Sequence, residues 1–215
     1  MNAQGKRSGE TAREYAYRMI REQVISLELK PGEAFNDMEF AAKIGVSRTP
    51  VREAVIQLSE ESRIIEIFPQ RGMRIAPIDV ELVEEARSLR VLLEKQIAGM
   101  CCEMATEEDI KWLQENVGLQ EFYMENSRPE MVMQLDDEMH RKLFMICHRE
   151  LTYGMCQKLA IHYDRIRSLS VNTVKDHTVI EDHKKIIRFI AAHEKENAMA
   201  QMEKHLSRWQ LNEGK

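Results

Sequence analysis

Four of the chain's five prolines, Pro31, Pro50, Pro69 and Pro77, fall within the first 77 residues, and only Pro129 follows. Proline removes a backbone donor and breaks a helix anywhere but in its first turn, so this distribution separates short elements from a stretch able to hold long helices. Other residue types divide at the same place. All seven histidines and all four cysteines lie beyond residue 100. Residues 1–77 carry 12 Lys+Arg against 11 Asp+Glu, a net +1, while residues 78–215 carry 19 against 25, a net -6. The total of -5, which alone argues against a nucleic-acid partner, therefore belongs to the second stretch. No segment reaches the roughly eighteen uncharged apolar residues of a membrane helix, and the opening MNAQGKRSGE is polar. A cytoplasmic protein is expected, with a flexible tail over 1–10, a first domain of short elements over 11–77 and a helical domain over 78–215. Cys101, Cys102, Cys147 and Cys156 show no CxxC spacing and are expected to be reduced thiols.

Within 11–29, Tyr15, Met19, Ile20, Val24, Ile25 and Leu27 recur at helical spacing, and Lys30-Pro31-Gly32 ends the helix. Asn36 with Glu39 forms a capping-box variant that starts a short helix running to Gly45. Ser47 caps a third helix with Pro50 in its first turn and Val51, Val55 and Leu58 on one face. Ile64–Phe68 and Met73–Ala76, joined through Pro69-Gln70-Arg71-Gly72, read as a hairpin. Two short helices around Ile44-Gly45-Val46 form the helix-turn-helix pattern, whose second helix meets base edges with its first residues. Those residues are Ser47-Arg48-Thr49-Pro50-Val51-Arg52. Arginine can bond guanine O6 and N7 with two N–H groups, and the hydroxyls can reach phosphate. The hairpin tip adds Arg71 and Gly72, where a backbone without Cβ can approach a second groove, and Lys43 supplies one more cation nearby. Without more specificity, these arginines could equally be solvated charges on a small helical domain.

The run Gly45-Val46-Ser47-Arg48-Thr49-Pro50-Val51-Arg52-Glu53-Ala54, with Arg71-Gly72, resembles the winged-helix domain of the GntR family of bacterial transcription regulators. The resemblance implies operator contacts by Ser47, Arg48, Thr49, Arg52, Arg71 and Gly72. Met38 departs from a frequent basic residue, and Ser62 replaces a common glycine at the end of the recognition helix. Since one short helix reads few base pairs, a palindromic double-stranded operator and a homodimer are expected.

Beyond Asp79, helices are expected near 79–102, 106–126, 128–147, 150–174, 178–192 and 195–211, with starts signalled by Thr106–Asp109 and Ser127–Glu130. The chain is thus mainly α: an N-terminal winged helix-turn-helix domain and a C-terminal all-helical bundle. At 100° per residue, His183 lies at the centre of an apolar arc with Val179, Ile180, Ile186, Ile187 and Ile190. His205 completes a stripe with Ala198, Met202 and Trp209. Asp136 lies within the arc of Val132, Leu135, Met139, Leu143 and Ile146, with His140 at its edge. Each histidine alone suits an ordinary core position, but four converging groups suit a divalent ion such as Zn, Ni, Mn or Fe. Arg90 lies on an apolar arc, which calls for an internal partner such as Glu94 or Asp136, or for the carboxylate of an effector. Arg165 is a second effector candidate of that kind.

Asp136–His140, Glu181-Asp182-His183 and His205-Leu206 resemble the FCD effector domain of the FadR subgroup of GntR regulators, with Met139 replacing a frequent phenylalanine. The resemblance implies a metal held by Asp136, His140, His183 and His205 at a cavity for a small organic acid, and a regulator rather than an enzyme. Two alternatives follow from the same residues: a metalloenzyme acting on a hydroxy or sugar acid, and a regulator for which the metal itself is the signal.

Overall fold

The computed structural model describes residues 5–173 and 177–208. The first elements are α1 (Ala12–Ile25), β1 (Ala34–Phe35), α2 (Asp37–Ile44), α3 (Arg48–Ser62), β2 (Ile65–Phe68) and β3 (Gly72–Ile75). Thr11 and Glu14 form a reciprocal capping box at α1, and Asn36 accepts from the backbone N–H of Met38 and Glu39 at α2. Gly45 ends α2 in the left-handed region at φ 74°, which glycine adopts without a Cβ penalty. The expected hairpin pairs Ile65 with Ile75 and Phe68 with Gly72. Its β3 strand also pairs with β1, so the sheet order is β1-β3-β2. β1 was not expected, because two residues are too short to display an alternating pattern.

The stretch expected as a flexible tail is partly tied down. Glu10 accepts from Arg18 Nε at 2.8 Å and from the Arg7 backbone N–H at 2.9 Å. These bonds lower its carboxyl pKa to about 2.

The remaining elements are α4 (Val80–Met104), α5 (Glu107–Glu125), α6 (Pro129–Ile146), α7 (Glu150–Thr173), α8 (His177–Ala191) and α9 (Lys195–Ser207). Each lies within a few residues of its expected position. Thr106 and Asp109 form the capping box that starts α5. At α6 the start differs from expectation: Pro129 is the first helical residue and Arg128 the cap, while Ser127 takes φ 55° and caps nothing. Trp209 and the expected helix end at 209–211 lie outside the described residues. Among the described residues, no helix is long and apolar enough to cross a membrane.

The chain divides into two compact units that differ in two respects from a division at 77/78. The first comprises residues up to Val83 together with 158–168, and the second comprises 84–157 and 169 onward. Residues 158–168 are the middle of α7. Ile161 is buried in the first core with Ile20, Val24, Val51, Val55, Leu58, Ile64 and Ile75. The His162 ring is 2.6 Å from the carbonyl of Ser62, and Lys158 pairs with Glu61 at 3.0 Å. Helical periodicity reports that α7 has an apolar face but not which core that face joins. The second unit has its own core, which includes Ile97, Leu113, Met139, Leu143, Ile180, Ile186 and Met202.

Candidate DNA-reading surface and metal centre

In the first unit, Ser47 takes the cap position of α3 with extended backbone, but its side chain makes no capping bond. Ser47, Arg48, Thr49 and Arg52 are all exposed over one turn and a half of α3. Arg71 and Gly72 are exposed at the hairpin tip, where Gln70 and Gly72 have φ of 61° and 99°. A Cβ at Gly72 would meet nothing within 4 Å, so the backbone there is open to close approach. Lys43 is directed elsewhere: its ammonium bonds Gln23 of α1 at 2.8 Å. Ser62 turns its hydroxyl back to the Leu58 carbonyl at 2.9 Å, and the left-handed residue that ends α3 is Arg63, at φ 55°.

One residue of this surface was missed. Asp37, 3% exposed at the start of α2, accepts from Arg48 Nε at 3.0 Å and from Arg52 Nη1 at 3.4 Å through the same oxygen, Oδ2. In sequence, a carboxylate in a helix's first turn reads simply as a complement to the helix dipole.

In the second unit, α6, α8 and α9 bring together the four residues expected to bind metal. One ligand atom from each of Asp136, His140, His183 and His205 lies within 4.8 Å of all the others. His183 Nε2 is 3.2 Å from His205 Nε2 and 3.3 Å from Asp136 Oδ1, and His140 Nε2 is 3.9 Å from the same oxygen. His183 is fully buried and His140 nearly so.

The neighbours favour metal-binding tautomers. Gln120 Oε1 of α5 lies 2.9 Å from His183 Nδ1, and an amide oxygen can only accept, so the proton is on Nδ1 and the Nε2 lone pair is directed at the cluster. The Glu94 carboxylate of α4 lies against His140 Nδ1 and has the same effect there. His140 Nε2 is then buried with no hydrogen-bond partner. His183 Nε2 and His205 Nε2 can share an N–H···N bond, but His140 Nε2, buried with nothing to bond, is costly in a protein interior, and a cation there would satisfy it. Three imidazoles and one carboxylate are a donor set suited to Zn, Ni, Mn or Fe, so the residues fit the group. Burial pushes His205 well below the ordinary histidine value, which favours its neutral, ligating form.

Arg90 donates from Nε to Glu94 at 2.7 Å, taking the internal partner that the sequence offered. Burial favours the neutral form of Glu94, but Arg90 and His140 outweigh it and hold the carboxyl well below its usual range. Glu94 thus links Arg90 to His140. The i,i+4 spacing signals the first half of that link, whereas the second half depends on α4 meeting α6. Arg165 does not join this centre. It belongs to the first unit, where it donates to the carbonyls of Ala76 at 2.8 Å and Pro77 at 3.4 Å. Desolvation lowers its pKa to about 10.

Residues 12–75 match "Bacterial regulatory proteins, gntR family", and residues 85–208 match the FCD domain. The chain is 30% identical over 158 residues to the HTH-type transcriptional repressor RspR of Escherichia coli (strain K12), an alignment covering 74% of this chain and 69% of that protein. It is 25% identical over 197 residues to the HTH-type transcriptional regulator YdhC of Bacillus subtilis (strain 168), covering 89% and 86%. E. coli McbR/YncC shares the fold, with a TM-score of 0.76 at 19% identity over 92% of this chain and 94% of that one. These families and relatives are transcription regulators, which removes the metalloenzyme alternative. The chain belongs to the gntR family of bacterial regulatory proteins, and it is a transcriptional regulator that joins a GntR DNA-binding domain to an FCD domain.

Proposed function

We propose that this regulator binds a palindromic operator as a homodimer in the cytoplasm and that a small organic acid, bound at a divalent metal in the FCD domain, controls its affinity for DNA. The observation that carries the ligand half is the convergence of Asp136, His140, His183 and His205 within 4.8 Å, with His140 Nε2 buried and lacking a hydrogen bond. These four residues would hold the ion. When bound, the metal supplies a Lewis-acidic point at which a carboxylate oxygen can sit. Glu94 and Gln120 orient His140 and His183, and Arg90 balances the charge of Glu94 close to the ligands.

On the DNA side, Ser47, Arg48, Thr49 and Arg52 enter the major groove, and Arg71 with Gly72 approaches the backbone or the neighbouring groove. Two chains are required because a single recognition helix covers one half-site. Effector and operator influence each other reciprocally, as any pair of coupled sites must.

Thermal melts of the purified protein with a panel of carboxylic acids, with and without chelator, test the ligand half. A ligand selective for the folded state raises the melting temperature by mass action. The expected result is an acid whose stabilisation disappears with chelator and which changes operator affinity. An acid that acts equally with and without chelator contradicts the metal site. DNA affinity that responds to added metal but to no acid favours the metal as the signal.

A further inference from the structure

The geometry points to Asp37 as a specificity-determining residue that presets both recognition arginines. Its side chain is 4% exposed, whereas those of Arg48 and Arg52 are 52% and 56% exposed. An ion pair between two mobile surface side chains holds neither in place. Here the acceptor is fixed in the domain, and both arginines converge on its single oxygen Oδ2. Among the described residues, Arg48 and Arg52 are the only side chains that bond Asp37. If both arginines left it to reach DNA, a buried carboxylate would remain without a partner, which is strongly unfavourable. The arginines therefore read DNA while still tethered.

The tether selects which N–H groups remain for bases. Arg48 is held through Nε and keeps Nη1 and Nη2, the end-on pair that matches guanine O6 and N7. Arg52 is held through Nη1 and keeps Nε and Nη2, the side-on pair. Asp37 also places a negative charge beside the phosphates, which weakens binding to any sequence equally. Its net effect is discrimination between sequences at the expense of general affinity.

This inference rests on the reading that α3 enters the groove. The test uses the full chain, a duplex selected by the parent protein from a random-sequence pool, and a scrambled duplex of the same composition, across a salt series. Loss of discrimination is measured as the ratio of the two Kd values. Asp37→Asn is expected to lower that ratio by about tenfold or more while binding the scrambled duplex at least as tightly as the parent, and Asp37→Glu is expected to restore part of the ratio. An Asp37→Asn ratio within about twofold of the parent, or an equal loss on both duplexes, overturns the inference.

If Asp37→Asn does not fold, the Arg48→Ala and Arg52→Ala single and double variants decide. A shared tether predicts non-additive losses, and strictly additive losses overturn it. If Arg48→Ala and Arg52→Ala bind the selected duplex as tightly as the parent, the failure lies in the placement of α3 and not in Asp37.

Discussion

Ser47, Arg48, Thr49 and Arg52 occupy the start of one helix and are all exposed, whereas Asp136, His140, His183 and His205 come from three helices and are largely buried. The first group can be supported by a small core and one tethering carboxylate. The second group draws on four helices, α4, α5, α6 and α8, to place and orient its side chains, with α9 supplying the last. A surface that meets a polyanion must keep its charges in water, while a site that selects a small ligand must exclude water from its polar atoms. Sensitivity to mutation should therefore differ. The proposed DNA surface should respond to changes in its own few side chains, and the proposed metal centre should also respond to changes in residues that would never touch an ion.

Core truncations test this contrast most strongly. Leu58→Ala in the first core and Leu143→Ala in the second each remove a fully buried side chain. Each should destabilise its unit by about 2–5 kcal/mol. Denaturant melts with one probe per unit should show Leu58→Ala lowering the first transition and Leu143→Ala the second. Equal effects of both variants on both probes would mean that the units are not separately compact.

Next are the recognition arginines. Arg48→Ala and Arg52→Ala should each weaken operator binding by about 1–3 kcal/mol while leaving metal content unchanged. Fluorescence anisotropy at stated salt measures the first, and elemental analysis the second. Glu94→Gln sharpens the comparison from the other side. It keeps the shape of a residue that binds no metal but removes the charge facing His140 and Arg90. Metal affinity should fall by about 10–100-fold with operator affinity in the metal-free state unaltered.

The smallest effect concerns pH. Burial, opposed by the bond to Ser62, lowers the His162 pKa below the ordinary histidine value of about 6.5. The unfolded chain therefore takes up a proton there before the folded one does, and stability present above pH 6.5 is lost as pH falls toward the folded value. His162→Asn should flatten the decline in melting temperature of the first unit between about pH 7 and pH 5. An unchanged slope would remove His162 as a contributor.

The parts that were legible share a physical reason. Helices α4 to α9 are long and periodic and are bounded by caps such as Thr106 with Asp109, so their positions follow from local chemistry. The convergence of Asp136, His140, His183 and His205 was legible because each falls on or beside an apolar arc, and a polar residue there must meet something inside. Partners set by tertiary contact were not legible. Asp37 lies eleven residues from Arg48, Gln120 lies 63 from His183, and the destination of Arg165 depended on the middle of α7 joining the first core. Arg165 shows the limit well: an arginine on an apolar arc must find acceptors, and its Nη1 and Nη2 groups find two backbone carbonyls that no spacing in the sequence announces.

The central claim is that the helical domain holds a metal at Asp136, His140, His183 and His205. Elemental analysis of the purified full chain, after metal loading and desalting, tests it most directly, comparing the parent with the His183→Ala, His205→Ala double variant. The parent should retain about one divalent ion per chain and the folded double variant almost none. An ion absent from the loaded parent, or present equally in both, would contradict the account.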